Sequence, residues 1–154
     1  MPQWRVVIGC DEAGLDYKER IKADLLADPR VASVDDIGIR AVGETAPYSE
    51  IGLAAGERIA AGQADRGVLV CGTGIGMAIS ANKVAGVRAT TAHDSFSAER
   101  SVLSNDCQVL ALGQRVIGIE LARRLVREWL GYVFDEQSAS AKKVAVISAY
   151  EARA

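Results

Sequence analysis

The stretch Gly67-Val-Leu-Val-Cys71-Gly-Thr-Gly-Ile-Gly76-Met-Ala-Ile-Ser-Ala-Asn-Lys83 passes from an apolar run, through a glycine loop, into a helix-compatible segment. Val68, Leu69 and Val70 suit a strand covered on both faces. Gly72, Gly74 and Gly76 permit tight turns and bare amide N–H groups, and Met77 to Lys83 continue as a helix. A helix N-terminus fed by such a loop favours negative charge, because its first N–H groups lack partners and the helix dipole adds to them. Taken alone, the pattern equally describes a glycine-rich turn with a buried cysteine. The rest of the chain decides.

Upstream, Trp4 to Gly9 reads as a first strand ending in Cys10-Asp11-Glu12-Ala13-Gly14. Tyr17, Ile21 and Leu25, with Leu26 alongside, repeat at helical spacing until Asp28-Pro29. Val31 to Val34 is a weak second strand, Asp35 to Ala46 a polar loop, and Pro47 opens a helix past Ile51, Leu53, Ala54 and Ile59 to Gly62. Downstream, Gly86 to Ala92 reads as a fourth strand. His93-Asp94-Ser95 leads into a helix through Ala98, Val102 and Leu103, which Ser104-Asn105-Asp106 breaks. Cys107 to Leu112 is a fifth strand and Gly113-Gln114-Arg115 a loop. Leu121, Leu125 and Trp129, with Ala122, Val126 and Leu130, form a strongly amphipathic helix, and Ser138 to Tyr150 a final one.

Strict alternation of strand and helix predicts an α/β, three-layer, Rossmann-like fold: a five-stranded parallel sheet with right-handed crossovers and a C-terminal helix. Five such units suit the flavodoxin-type order 2-1-3-4-5, in which ligands bind beyond the carboxyl ends of the strands, between the first and third. Asp11 and Glu12 leave strand one, and Cys71 to Gly76 leave strand three, so they flank one crevice. His93-Asp94, Asn105 and Arg115 are expected from neighbouring loops on the same edge.

Composition narrows the function. The 154 residues suit one domain, 1–154, with 49% apolar and 25% charged residues. A net charge of −2, with no basic stripe, argues against nucleic acid. No apolar run approaches the roughly 18 residues of a membrane span, and no secretory leader is evident. Cys10, Cys71 and Cys107 lack ligand spacing, so neither a disulfide framework nor a metal site is expected. A reducing cytoplasm fits best.

Several pieces together resemble the ribose-5-phosphate isomerase B and galactose-6-phosphate isomerase family. They are Gly9-Cys-Asp-Glu-Ala-Gly14, Val70-Cys-Gly-Thr-Gly-Ile-Gly76, Ala81-Asn-Lys83, Ser97-Ala98, Asn105-Asp106 and Leu112-Gly-Gln-Arg-Val-Ile-Gly118. They follow the family's order and spacing along nearly the whole chain. The resemblance implies the fold derived above, a homodimer or homotetramer with active sites at the subunit interface, and aldose–ketose interconversion of a sugar phosphate without metal or other cofactor. Such a reaction moves a proton between two carbons through an enediolate, which requires a base at carbon and donors for the developing oxyanion. By resemblance Cys71 is the base, and the adjacent helix N-terminus favours an anionic sulfur. The N–H groups of Gly72, Gly74, Ile75 and Gly76 face the enediolate oxygen, Thr73 and Asp11 order the hydroxyls, and Arg115 meets the phosphate. Some members carry serine at the cysteine position and a glutamate further along the loop, where this chain has Met77.

The departures bear on the substrate. Ribose-phosphate members follow strand one with Asp-His; here the pair is Asp11-Glu12. They also place a ring-opening histidine just before Asn105; here it is Ser104, which cannot act as an imidazole acid or base. A four-carbon sugar phosphate needs no such step, because its terminal oxygen is esterified and no furanose can close. The stretch Ala92 to Asn105 is similar to the branch that interconverts D-erythrulose 4-phosphate and D-erythrose 4-phosphate. The family's C-terminal arginines have no clear match, so Lys142 or Lys143 is the candidate phosphate contact from a neighbouring subunit, carried by a segment at about 132–154 that packs on it. Ribose 5-phosphate or another sugar is the alternative substrate. A non-catalytic sugar-phosphate module is the competing class, since fold does not fix function. Cys10 and Cys107 read as packing. For His93, the only histidine, a loop hydrogen bond suits at least as well as catalysis. Arg123, Arg124 and Arg127 read as a solvated face or subunit contact.

Overall fold

The computed structural model describes residues 3–153. Five strands alternate with helices: β1 (Trp4–Cys10), α1 (Leu15–Ala27), β2 (Val31–Asp36), α2 (Tyr48–Ala60), β3 (Arg66–Cys71), α3 (Ile75–Asn82), β4 (Ala89–Thr91), α4 (Ser95–Leu103), β5 (Val109–Gly113), α5 (Ile119–Trp129) and α6 (Ala141–Glu151). All strand pairs are parallel.

The sheet order is β2-β1-β3-β5-β4. The expected 2-1-3-4-5 is therefore corrected at its far edge, where β5 takes the inner place and β4 the outer one. The reason lies in the residues. Val109 to Gly113 is buried throughout, as a strand with neighbours on both sides must be, whereas Ala89–Thr91 is a three-residue strand and only partly buried.

Because side chains alternate across a strand, the sheet sorts its apolar residues into two cores. Val6, Ile8, Val68, Val70, Leu110 and Leu112 meet Ile21, Leu25, Leu125 and Trp129 from α1 and α5. Val7, Leu69, Val109 and Ala111 meet Ile51, Ala55, Met77 and Ala81 from α2 and α3. Cys71 belongs to the second set, so its side chain leaves the sheet on the α2–α3 face.

Helices α2 and α3 run side by side along a seam with a four-residue period. A side chain at Gly52 would come within 2.6 Å of Ser80 Cβ, one at Gly56 within 2.7 Å of Val84 Cγ2, and one at Gly76 within 2.3 Å of the Tyr48 ring. Tyr48, Gly52 and Gly56 thus lie on Gly76, Ser80 and Val84 in turn, and i, i+4 neighbours share a helix face. At the opposite end of the sheet, Arg66 is sandwiched between the rings of Trp4 and Trp129, 4.2 and 4.6 Å from their centroids. It donates to the carbonyls of Trp129 and Tyr132, tying the start of the C-terminal segment to its own chain.

Candidate active site

A crevice of about 480 Å³ opens where β1 and β3 end, bounded by Asp11, Glu12, Tyr48, Cys71, the glycine loop and Arg115. Its position matches the expected switch point: β1 pairs with β2 on one side and β3 on the other, so the loops that follow them diverge.

Cys71 is 4% exposed, and its sulfur accepts the N–H of Gly74 at 3.1 Å. That amide reaches back because Gly74 has φ +80°, in the left-handed region, with the carbonyl ends of Ala111 and Leu112 pressed beneath it. The loop therefore divides its donors. Gly74 N–H serves the sulfur and Ile75 N–H accompanies the Thr73 hydroxyl oxygen at 3.3 Å. Gly76 N–H, in the first turn of α3, has no protein acceptor among the described residues and lines the crevice with Gly72 and Thr73.

The loop after β5 holds the glycine loop in place. Gln114 N–H donates to the Cys71 carbonyl at 2.9 Å and Arg115 N–H to the Gly72 carbonyl at 3.0 Å. The Arg115 guanidinium lies against Gly72, where an added Cβ would stand 3.2 Å from Nη1. Among the described residues no carboxylate lies within salt-bridge distance of Arg115, which lines the crevice together with Asp11 and Glu12.

Asp11 is 8% exposed. Burial pushes its carboxyl above the usual range, against the opposing effect of the Ala13 N–H, which donates to Oδ1 at 3.0 Å. Glu12 is exposed, and its Oε2 accepts from Ala46 N–H at 3.4 Å, which turns it toward the loop before α2. That loop is anchored at its other end by Asp36, which accepts from Lys18, Lys22 and Gly38 N–H. Burial opposes the charge on Asp36, but the two lysine hydrogen bonds outweigh it and hold the carboxyl below its usual range.

Tyr48 is a crevice-lining residue that sequence reading missed. It begins α2 directly after Pro47, whose sequence signal is that of a helix start alone, and its ring lies on Gly76 at the rim beside Cys71. The available signal was an aromatic at the start of a helix that follows β2, on the edge where ligands bind.

Other expected residues lie elsewhere. Ser104 and Asn105 do not join Cys71 within one chain, and the expected placement of Asn105 on the same edge is corrected. They fall between the end of α4 and the start of β5, and a crossover helix returns the chain to the amino edge of a parallel sheet. Asn105 lines a separate cavity there, with Arg88, Arg100 and Ile147. Lys142 and Lys143 are exposed on α6, outside the crevice. Cys10 and Cys107 are packing residues: burial pushes their thiols up to about 12 and about 11. His93 Nε2 accepts Gly113 N–H at 2.9 Å, which makes it a loop hydrogen-bonding residue.

The arrangement offers a sulfur base, oriented amide donors and a cation in one crevice. Residues 6–147 match the Ribose/Galactose Isomerase family. The chain is 59% identical to a D-erythrulose-4-phosphate isomerase 2 from Mycolicibacterium smegmatis over 147 residues, covering 96% of this chain and 97% of the relative. It is 44% identical to a D-erythrulose-4-phosphate isomerase from Pectobacterium atrosepticum, covering 95% and 94%. Among solved structures, a ribose-5-phosphate isomerase B from Clostridium thermocellum superposes with a TM-score of 0.88 at 38% identity, covering 97% and 98%.

Proposed function

The chain belongs to the ribose/galactose isomerase family, and on that premise we propose that it interconverts D-erythrulose 4-phosphate and D-erythrose 4-phosphate. The observation that carries this reading is Cys71, its sulfur held by Gly74 N–H beside free loop donors, in a chain 59% identical to an enzyme named for that substrate. Ser104 supports it, because an open-chain tetrose phosphate needs no imidazole to open a ring.

In the ketose-to-aldose direction, Cys71 sulfur removes a proton from C1. The C–H electrons form the C1–C2 double bond and the carbonyl electrons move onto O2, giving a cis-enediolate. The proton on O1 passes to O2, the thiol returns its proton to C2, and the C1 carbonyl forms. Gly72 and Gly76 N–H stabilise the oxyanion, and Thr73 and Asp11 order the hydroxyls. Ile75, 56% exposed at the rim, forms an apolar wall. Arg115 takes the phosphate.

The active assembly is a homodimer or homotetramer, in which Ser104, Asn105 and the lysine pair Lys142 and Lys143 reach a neighbour's crevice. This rests on their distance from the chain's own crevice and on α6, where Val146, Ile147 and Tyr150 are 69%, 50% and 74% exposed. The C-terminal segment docks on the second copy through that apolar face, beyond the part that Arg66 ties down. The working unit is one domain per chain.

A panel of four-, five- and six-carbon aldose and ketose phosphates, each with its unphosphorylated counterpart, tests the reading. Turnover of erythrulose 4-phosphate well above ribose 5-phosphate is expected. The reverse ranking would transfer the enzyme to the pentose branch, and no turnover of any sugar would leave only a binding module.

A further inference from the structure

The register of β4 on β5 pairs Ala89 with Val109, Thr90 with Leu110 and Thr91 with Ala111. Continued by two residues, it would set His93 opposite Gly113. Strand β4 stops at Thr91, so the N–H of Gly113 at the end of β5 faces no further strand. A buried backbone donor must find an acceptor. Here it finds the imidazole of His93, with Gly113 N–H donating to Nε2 at 2.9 Å. A ring nitrogen stands where a strand would offer a carbonyl. A carbonyl accepts at every pH, whereas an imidazole accepts only while neutral.

This hydrogen bond is one step from the chemistry. A side chain at Gly113 would lie 2.7 Å from Thr73 Cα, so the end of β5 is packed directly on the glycine loop. The next two residues bond the Cys71 and Gly72 carbonyls. The imidazole therefore secures the first link of a chain running Gly113, Thr73, Gly72, Cys71. We propose that His93 is a proton-sensitive positioning residue: neutral, with its proton on Nδ1, it fixes the end of β5 against the glycine loop, and protonation releases that clamp and slows turnover. The catalytic consequence rests on the isomerase reading above; the clamp itself does not.

The surroundings of the ring favour the neutral form at physiological pH. Burial lowers the imidazole below its ordinary range and outweighs Asp94, the neighbouring carboxylate that would raise it. Asp94 is itself engaged in capping α4, accepting Ser97 N–H at 2.7 Å. Of the loops packed nearby, that after β3 brings Cys71, whose sulfur is turned to Gly74. The loop after β5 brings Arg115, whose guanidinium is turned to Gly72. With the folded-state value lowered, the clamp is intact at neutral pH and is lost as pH falls through a range below that of an ordinary histidine.

Since His93 is the chain's only histidine, one imidazole signal in long-range nitrogen–proton NMR reports its tautomer and titration without assignment. Expected are an unprotonated Nε2 at neutral pH and Gly113 and Gly74 amide shifts that follow the imidazole midpoint. Turnover should show an acid limb in kcat at the same midpoint. His93→Ala should lower kcat by roughly 10–100-fold, as small misplacements at a reacting centre do, and lose that limb. His93→Gln, whose Oε1 can accept from Gly113 without titrating, should restore kcat and flatten the limb. A protonated Nε2 at neutral pH, or His93→Ala with wild-type kcat and an unchanged acid limb, would overturn the proposal. If the wild type turned over no sugar phosphate, the isomerase reading would fall, and the tautomer and the linked amide shifts would still decide the clamp.

Discussion

Cys10 ends β1 as Cys71 ends β3, yet the two sulfurs are treated differently. Cys10 is the register partner of Val70, so Cys71 stands one residue beyond it and on the opposite face of the sheet. Cys10 is sealed in the α1–α5 core, while Cys71 faces the start of α3, where Gly74 N–H meets its sulfur. Burial holds the Cys10 and Cys107 thiols near 12 and 11, so neither is a nucleophile at neutral pH. Cys71→Ala should therefore reduce kcat by about 10²–10⁴-fold, the usual weight of a general base, with a far smaller change in KM. Cys10→Ala and Cys107→Ala should keep kcat and lose only stability. Brief iodoacetamide treatment with peptide mapping should place the label on Cys71; label on Cys10 would contradict this account. That the sulfur, Asp11 and the glycine loop meet at one crevice was legible in the sequence, because each follows a local strand-to-loop pattern. Tyr48 was not, since its contact with Gly76 is tertiary. The Gly74 amide was read as facing substrate, because the pattern gives a donor's presence and not its direction.

Between elements, the α2–α3 seam carries the active-site rim. Gly52 and Gly56 let the two helices approach closely, and the same four-residue period delivers Tyr48 onto Gly76. In sequence these glycines look merely like weak helix formers. Their reason appears only when the partner helix is present. Gly52→Ala places a methyl 2.6 Å from Ser80 Cβ and 2.9 Å from the Met77 carbonyl, and backbone cannot yield as a flexible side chain can. Overpacking of this kind costs about 1–3 kcal/mol, and each kcal/mol is worth about 2–4 °C in Tm for a chain of this size. The seam also predicts a raised KM for Gly52→Ala, because parting the helices lifts Tyr48 from the rim, whereas Tyr48→Phe keeps the ring and the Tm. Melting curves and steady-state kinetics on both variants check this; an unaltered Tm and KM in Gly52→Ala would refute the seam. The exchanged places of β4 and β5 belong to the same scale. Alternation announces parallel strands without ordering them, and only the contrast between Val-Leu-Ala-Leu and Ala-Thr-Thr marks which strand lies inside.

The molecule as a whole separates the polar residues of the proposed site onto two edges of one sheet. Cys71, Thr73, Asp11 and Arg115 occupy the carboxyl edge, and Asn105 occupies the amino edge beside α6. A crevice that uses both sets must draw them from two chains, and a twofold interface supplies such an exchange twice over. The exposed Val146, Ile147 and Tyr150 on α6 are an apolar surface on which the proposed interface would form. The arrangement makes a prediction that no single-chain site shares. Cys71→Ala and Asn105→Ala, each strongly impaired alone, should complement one another when their subunits are mixed and allowed to exchange. In each hybrid dimer one crevice receives both substitutions and the other receives neither, so one site is whole. Random exchange of equal amounts makes about half the dimers hybrid and should return about a quarter of wild-type turnover. If Asn105 served the crevice of its own chain, every site in every hybrid would carry one lesion and mixing would recover nothing. Size-exclusion chromatography with light scattering on Ile147→Glu supplies the companion measurement. Loss of the larger species together with loss of turnover fits a shared site, whereas an active monomer would show that each chain completes its own.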